Sequence, residues 1–204
     1  MLSQTFNTTD KLIRSALLEE LNNTYDPQEK TTAIIPEFSL VNESARIDIA
    51  VVNGILHGYE LKSDKDTLLR LNNQKEAYNT VFDEITLVVG KNHLISSIYC
   101  IPDWWGITVA KVDKRNVLYF LKIRESKPNP QQNLRAMINL LWKEEIIVKL
   151  LQLGISKGVA NKSKQYISDL LVNSLNPEDI KSYVRQSLKD RFFNSDWRSD
   201  AALM

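Results

Sequence analysis

Arg46-Ile47-Asp48-Ile49-Ala50-Val51-Val52-Asn53-Gly54-Ile55-Leu56-His57-Gly58-Tyr59-Glu60-Leu61-Lys62 decides how the fold is read. Two apolar, β-branched runs flank an Asn-Gly pair, the pattern of a hairpin. Side chains alternate along a strand, so Glu60 and Lys62 share one face, and Tyr59 and Leu61 the other. Asp48 sits between Ile47 and Ile49, where an ionised carboxylate needs a cation, a hydrogen-bond network or a metal. A two-residue turn pairing Val52 with Ile55 sets Asp48 opposite Tyr59 and turns it away from Glu60. Asp48 and Glu60 meet only across an odd-length loop, such as Val52-Asn53-Gly54 with Gly54 left-handed, or across a bulge at Gly58.

Outward from the hairpin, the spacing predicts a helix over 10–22, capped by Asp10 and carrying Leu12, Ile13, Ala16, Leu17 and Leu21. Strands follow over 33–41 and 46–52, joined at Asn42-Glu43-Ser44, and over 58–63. A helix over about 66–82 precedes Ile85-Thr86-Leu87-Val88-Val89-Gly90, a run suited to a strand buried on both faces. Strand, helix and buried strand form a βαβ unit with parallel strands. A short helix at 91–98 and strands near 106–112 and 116–123 complete an α/β domain over 1–125. Ser126-Lys127-Pro128-Asn129-Pro130 reads as a linker. Helices near 131–152, 162–174 and 177–190 then form a helical C-terminal region over 131–204.

The 204 residues are 43% hydrophobic and 25% charged, which suits a globular chain with a real core. A net charge of +1 argues against a histone-like or tail-like nucleic-acid binder. The single cysteine, Cys100, reads as a half-buried small side chain. No run reaches the ~18 apolar residues of a membrane span, so a cytoplasmic protein with no membrane partner is expected. No His/Cys cluster suggests zinc, and no Gly-rich loop suggests a nucleotide cradle.

Two carboxylates in close approach repel unless a divalent cation lies between them. Asp48, Glu60 and the Leu61 carbonyl supply the oxygens that Mg²⁺ or Mn²⁺ prefers, with Lys62 facing the same cavity. Glu20 falls within the apolar arc of the first helix and is a further candidate ligand, with Glu37 as its competitor. Gln74 points into the apolar stripe of the 66–82 helix one turn from Tyr78. It is read with the catalytic group, and Tyr78, Lys65, Arg70 and Lys75 are read as substrate contacts. Read plainly, these residues are hairpin and helix charges, and Glu-x-Lys alone is a common pattern. Trp104-Trp105 fits a core edge better than a base-stacking surface. His57 is placed on a turn and His93 at a helix start. The basic residues Lys157, Lys162, Lys164, Arg185, Lys189, Arg191 and Arg198 are interleaved with acids, as on a solvated surface.

Arg46-Ile47-Asp48, Tyr59-Glu60-Leu61-Lys62 and Gln74-Lys75-Glu76-Ala77-Tyr78 resemble the motifs of the PD-(D/E)xK phosphodiesterase superfamily, over about residues 10–125. Leu56–Asp64 with Ile101-Pro102-Asp103-Trp104-Trp105-Gly106 is similar to small stand-alone bacterial and phage members, although Ile47 replaces the usual proline. The resemblance implies a restriction-endonuclease-like core (helix, antiparallel three-strand meander, crossover helix, parallel strand) with a C-terminal helical extension. It implies Asp48 and Glu60 as metal ligands and Lys62 as the catalytic lysine. The expectation is a divalent-metal-dependent nuclease acting on DNA, with RNA left open. Its alternative is a catalytically silent nuclease-like factor of phage or bacterial origin that binds nucleic acid or protein. The C-terminal helices are the expected place for a homodimer or protein contact.

Overall fold

The computed structural model describes residues 7–40 and 45–194. The Asn42-Glu43-Ser44 connection and Arg198 lie outside them. A helix, α1 (Asp10–Thr24), leads into a meander of β1 (Ala33–Ser39), β2 (Arg46–Asn53) and β3 (Ile55–Lys62). Helix α2 (Leu71–Val81) crosses to β4 (Glu84–Gly90), and α3 (Leu94–Cys100) crosses to β5 (Gly106–Val112), which pairs with β6 (Leu118–Arg124). Helices α4 (Leu134–Asn139), α5 (Lys143–Gln152), α6 (Lys164–Ser174) and α7 (Pro177–Phe193) follow. The protein is α/β, with a six-stranded sheet in the order β1-β2-β3-β4-β5-β6. Strands β3, β4 and β5 run parallel to one another, and the outer pairs are antiparallel.

The hairpin register follows from two glycines. Val52 pairs with Leu56 and Asn53 with Ile55, leaving Gly54 alone at the apex with φ 67°. The loop is therefore odd and its glycine left-handed, but it is centred one residue later than the Val52-Asn53-Gly54 loop expected. Gly58 carries no bulge; it pairs directly with Ala50. Its role is close approach, since a Cβ there would lie 2.5 Å from Ile47 Cδ1 and 3.1 Å from Phe82 Cδ1.

Each face of the sheet has its own core. On one face Ile13, Leu17 and Leu21 of α1 pack on Ile49, Val51, Leu61 and Val88. The other face carries a larger cluster that runs from β1 and α2 through Trp105 into Met137, Ile146, Leu171 and Leu188 of the C-terminal helices. Full burial of one such side chain contributes about 1.5–3 kcal/mol. The Ser126–Pro130 stretch is bonded along its length. Lys127 N donates to Trp104 O (2.8 Å), Asn129 N to Asp83 O (2.8 Å), and Asn129 Nδ2 to the carbonyls of Asn79 and Phe82 (both 2.7 Å). Arg185 of α7 clamps Asp83, 2.8 Å from its Oδ1.

Local rules set the remaining boundaries. Thr9, not Asp10, caps α1, its side chain accepting from Leu12 N. The expected 131–152 helix breaks into α4 and α5, because Trp142 begins a new helix whose Glu145 carboxylate accepts from Trp142 N at 2.6 Å. His57 lies in β3 rather than on a turn, stacked on Tyr59 with ring centroids 4.4 Å apart. Cys100 is half-buried. Trp105 is fully buried and donates to Asn79 Oδ1 at 2.9 Å, so the tryptophan pair serves the core. No helix among the described residues is long and apolar enough to cross a membrane.

Candidate functional site

At Asp48 the regular ladder stops. The β2–β3 pairing runs only as far as Ile49↔Tyr59, and the amide of Leu61 donates instead to the Asp48 side chain, Oδ2, at 2.7 Å. Glu37, across β1, adopts φ 52° between the paired residues Pro36 and Phe38. The strands are thus pried apart where the carboxylates collect, and the backbone groups released are taken up by side chains.

The cation that answers Asp48 comes from α1. Arg14 Nη2 lies 2.6 Å from Asp48 Oδ1, and Arg14 Nη1 donates to the Asp48 carbonyl at 3.1 Å. The same guanidinium meets Glu37 Oε1 at 2.7 Å and Asp10 Oδ1 at 3.0 Å. Arg46 Nε closes the group on Glu37 Oε2 at 2.8 Å. Burial pulls the Arg14 pKa down, but the Asp10 and Asp48 carboxylates outweigh it and hold the pKa above its ordinary value. A planar fork with five donors suits this three-carboxylate setting better than a point charge would.

Glu60 is 1% exposed. Lys62 Nζ approaches its Oε1 at 2.5 Å, and the Tyr78 hydroxyl lies 2.9 Å from its Oε2. That hydroxyl also lies 2.6 Å from the Arg46 carbonyl. It has one proton to donate, so both contacts are served at once when Glu60 is itself protonated. Burial, and then the Asp48 charge, push the Glu60 pKa up to about 7 against the pull of Lys62 and Tyr78. Burial and the neighbouring Glu60 raise the Tyr78 hydroxyl's pKa as well. The structure therefore brings Asp48, Glu60, Lys62 and Tyr78 together, with every head group already engaged by the chain.

The other expected site residues are dispersed. Glu20 is exposed, which corrects its inward reading. It lies about 60° from the centre of the buried arc by helical spacing, where a long side chain with no waiting cation turns to water. Arg14 occupies the mirror position and turns inward to the acids. Gln74 is partly covered, and its Oε1 is buried without a hydrogen-bond partner. Lys75 Nζ donates to Cys100 O (3.1 Å) and Asn72 Oδ1 (3.2 Å), tying α2 to α3. Lys65 and Arg70 are exposed on the approach to α2. Leu61 meets Asp48 through its amide. Sequence reasoning missed Arg14 and Asp10. Their signal was an acid–base pair four residues apart beside the apolar arc.

Beside Asp48, where a divalent cation was expected, stands the Arg14 guanidinium, and Glu60 is closed by Lys62. Among the described residues no three His, Cys, Asp or Glu side chains form a metal-holding group.

Fold and site define a mixed-sheet α/β protein with an internally neutralised ionic centre. The chain belongs to the family described as bacteriophage P4 protein cII, whose profile matches residues 4–199. It is 26% identical over 159 residues to "Protein cII" of Enterobacteria phage P4, covering 78% of this chain and 59% of that relative. The chain thus spans less than two thirds of the curated relative's length. No solved structure matches it. This family replaces the PD-(D/E)xK superfamily as the chain's relationship. The nuclease activity and the hydrolase description drawn from that resemblance are corrected with it. The phage side of the expected origin agrees with the family.

Proposed function

We propose that this protein is a non-catalytic phage-type factor whose work is binding, with a protein as its partner. The observation that carries the first half is the seat of Arg14 among Asp10, Glu37 and Asp48, matched by Lys62 on Glu60. Charges cancelled at hydrogen-bond distance hold strands together; they are not poised to take a metal or a phosphate. The finer topological reading is a nuclease-like layout put to structural use, supported by the order helix, antiparallel meander, crossover helix, parallel strand.

A protein partner is favoured over nucleic acid by what the surface offers. Net charge is +1. The large exposed side chains include Leu69, Ile95 and Tyr99, at 81%, 68% and 85%. Ile95 and Tyr99 both lie on the short helix α3, and apolar exposure of that degree suits protein contact.

Thermal unfolding with and without Mn²⁺, run beside Asp48→Asn, tests the ionic centre. The expected result is no metal-dependent rise in Tm in either protein, and no cleavage of DNA or RNA. A Tm rise with Mn²⁺ in the wild type that Asp48→Asn abolishes would overturn the reading, since ligand binding stabilises by mass action.

A further inference from the structure

The two edges of the sheet are protected unequally. At β1 the edge is interrupted by Pro36 and by the left-handed Glu37, devices that blunt strand pairing. At β6, the last strand in the order, no proline interrupts the run Leu118–Lys122. Among the described residues the outer edge of β6 has no strand beside it. Leu118 and Phe120 pack toward α1, while Tyr119 and Leu121 show on the opposite face at 42% and 39% exposure. Val117 and Ile123, at 57% and 48%, continue the apolar border.

We propose that β6 pairs antiparallel with β6 of a second copy of this chain, about a two-fold axis at Phe120, joining two sheets into one. The register follows from chemistry. Centred on Phe120, Tyr119 faces Leu121 of the other copy twice, and Leu118 faces Lys122. Centred two residues later, Lys122 would face itself, a like-charge contact that destabilises a strand pair. The basic side chains of β6 are already matched within the chain. Lys122 lies 3.0 Å from Glu125, and Arg124 lies 3.7 Å from Asp103 while donating to the carbonyls of Trp105 (2.7 Å) and Pro102 (3.0 Å). An edge with its charges cancelled accepts an identical edge without repulsion and offers little to a phosphate backbone. The register irregularity between Lys122 and Arg124 ends the pairing stretch on that side. A two-fold axis makes such a contact close on itself as a dimer rather than a fibre.

The inference goes beyond the binding role and stands apart from it; a monomer would leave the non-catalytic reading untouched. Light scattering behind size exclusion, on the full chain at about 100 µM, a range that reveals dimers of micromolar Kd, should give twice the 23.5 kDa monomer mass. Leu121→Asp should weaken association by about 30-fold or more, the effect of losing a central interface contact, with circular dichroism unchanged. A Tyr119→Cys/Leu121→Cys protein on a Cys100→Ser background should oxidise to a covalent dimer, which keeps the proposal testable if Leu121→Asp misfolds. A monomer at every concentration, a dimer indifferent to Leu121→Asp, or no cross-link between the paired cysteines would overturn it.

Discussion

The centre of the sheet and its β6 edge treat their unsatisfied groups in opposite ways. Around Asp48 and Glu60 the chain splays two strands, then supplies Arg14, Arg46, Lys62, Tyr78 and the Leu61 amide to answer every carboxylate. At β6, among the described residues, both the backbone edge and an apolar row are left unanswered. A charge withdrawn from water costs several kcal/mol unless paired, whereas exposed apolar groups and a solvated backbone edge cost little until a partner arrives. Polar residues at the centre therefore report on stability, and the plain-looking edge reports on association.

The largest expected break in this comparison is Arg14→Ala. It strips the shared cation from Asp10, Glu37 and Asp48 while leaving β6 intact. Loss of the charged hydrogen bonds of this half-buried group costs about 2 kcal/mol, read as a lower urea midpoint with unchanged m. An Arg14→Ala protein within 0.5 kcal/mol of wild type, the scale of ordinary surface substitutions, would mean the centre is not held together by this residue.

A second test separates two titrating groups of β3, Glu60 in the ionic centre and His57 beside Tyr59. Burial, ahead of the nearby Asp48 charge, raises Glu60 from its ordinary 4.5 to about 7, with Lys62 and Tyr78 pulling the other way. The folded state then holds a proton that the unfolded state releases, and Glu60's contribution to stability falls as pH rises from 4.5 to 7. Burial lowers His57 from 6.5 to about 4, so its contribution falls as pH drops from 6.5 to 4. The two slopes oppose each other between pH 4.5 and 6.5. In Glu60→Gln the His57 slope should emerge alone, with stability rising across that window by up to about 1.4 kcal/mol per pH unit. An unchanged profile would contradict the buried, proton-favouring site assigned to Glu60.

The smallest effect belongs to the edge. Tyr119→Thr at low protein concentration should alter unfolding free energy by no more than about 0.5 kcal/mol, as for other surface sites, because Tyr119 is 42% exposed and its backbone pairing survives. A cost of several kcal/mol would show the row to be core after all and erase the contrast with Asp48.

Much of the fold was legible along the chain. The β-branched run Ile85–Val89 is a strand buried on both faces, and the Pro177 helix begins where its Asn-Pro pair requires, with the Asn176 side chain accepting from Asp179 N. The helix over 131–152 could not be resolved into α4 and α5 by pattern, since its apolar residues run through the break. The bond from Trp142 N to Glu145, and the Arg191 guanidinium 4.2 Å from the Trp142 ring centroid, mark the boundary. Strand parity brings Asp48, Glu60 and Lys62 together, but parity says nothing of a side chain arriving from a helix 34 residues earlier.

What the sequence determined alone is local and periodic: alternation, capping and the glycine at the hairpin apex, each fixed by backbone sterics within a few residues. What the tertiary structure decided is which charges cancel. Coulomb energy depends on separation in space and on exclusion of water. Strand alternation sets Asp48 on its face of the sheet, but the packing of α1 against β2 and β3 carries Arg14 to it and so decides its partner.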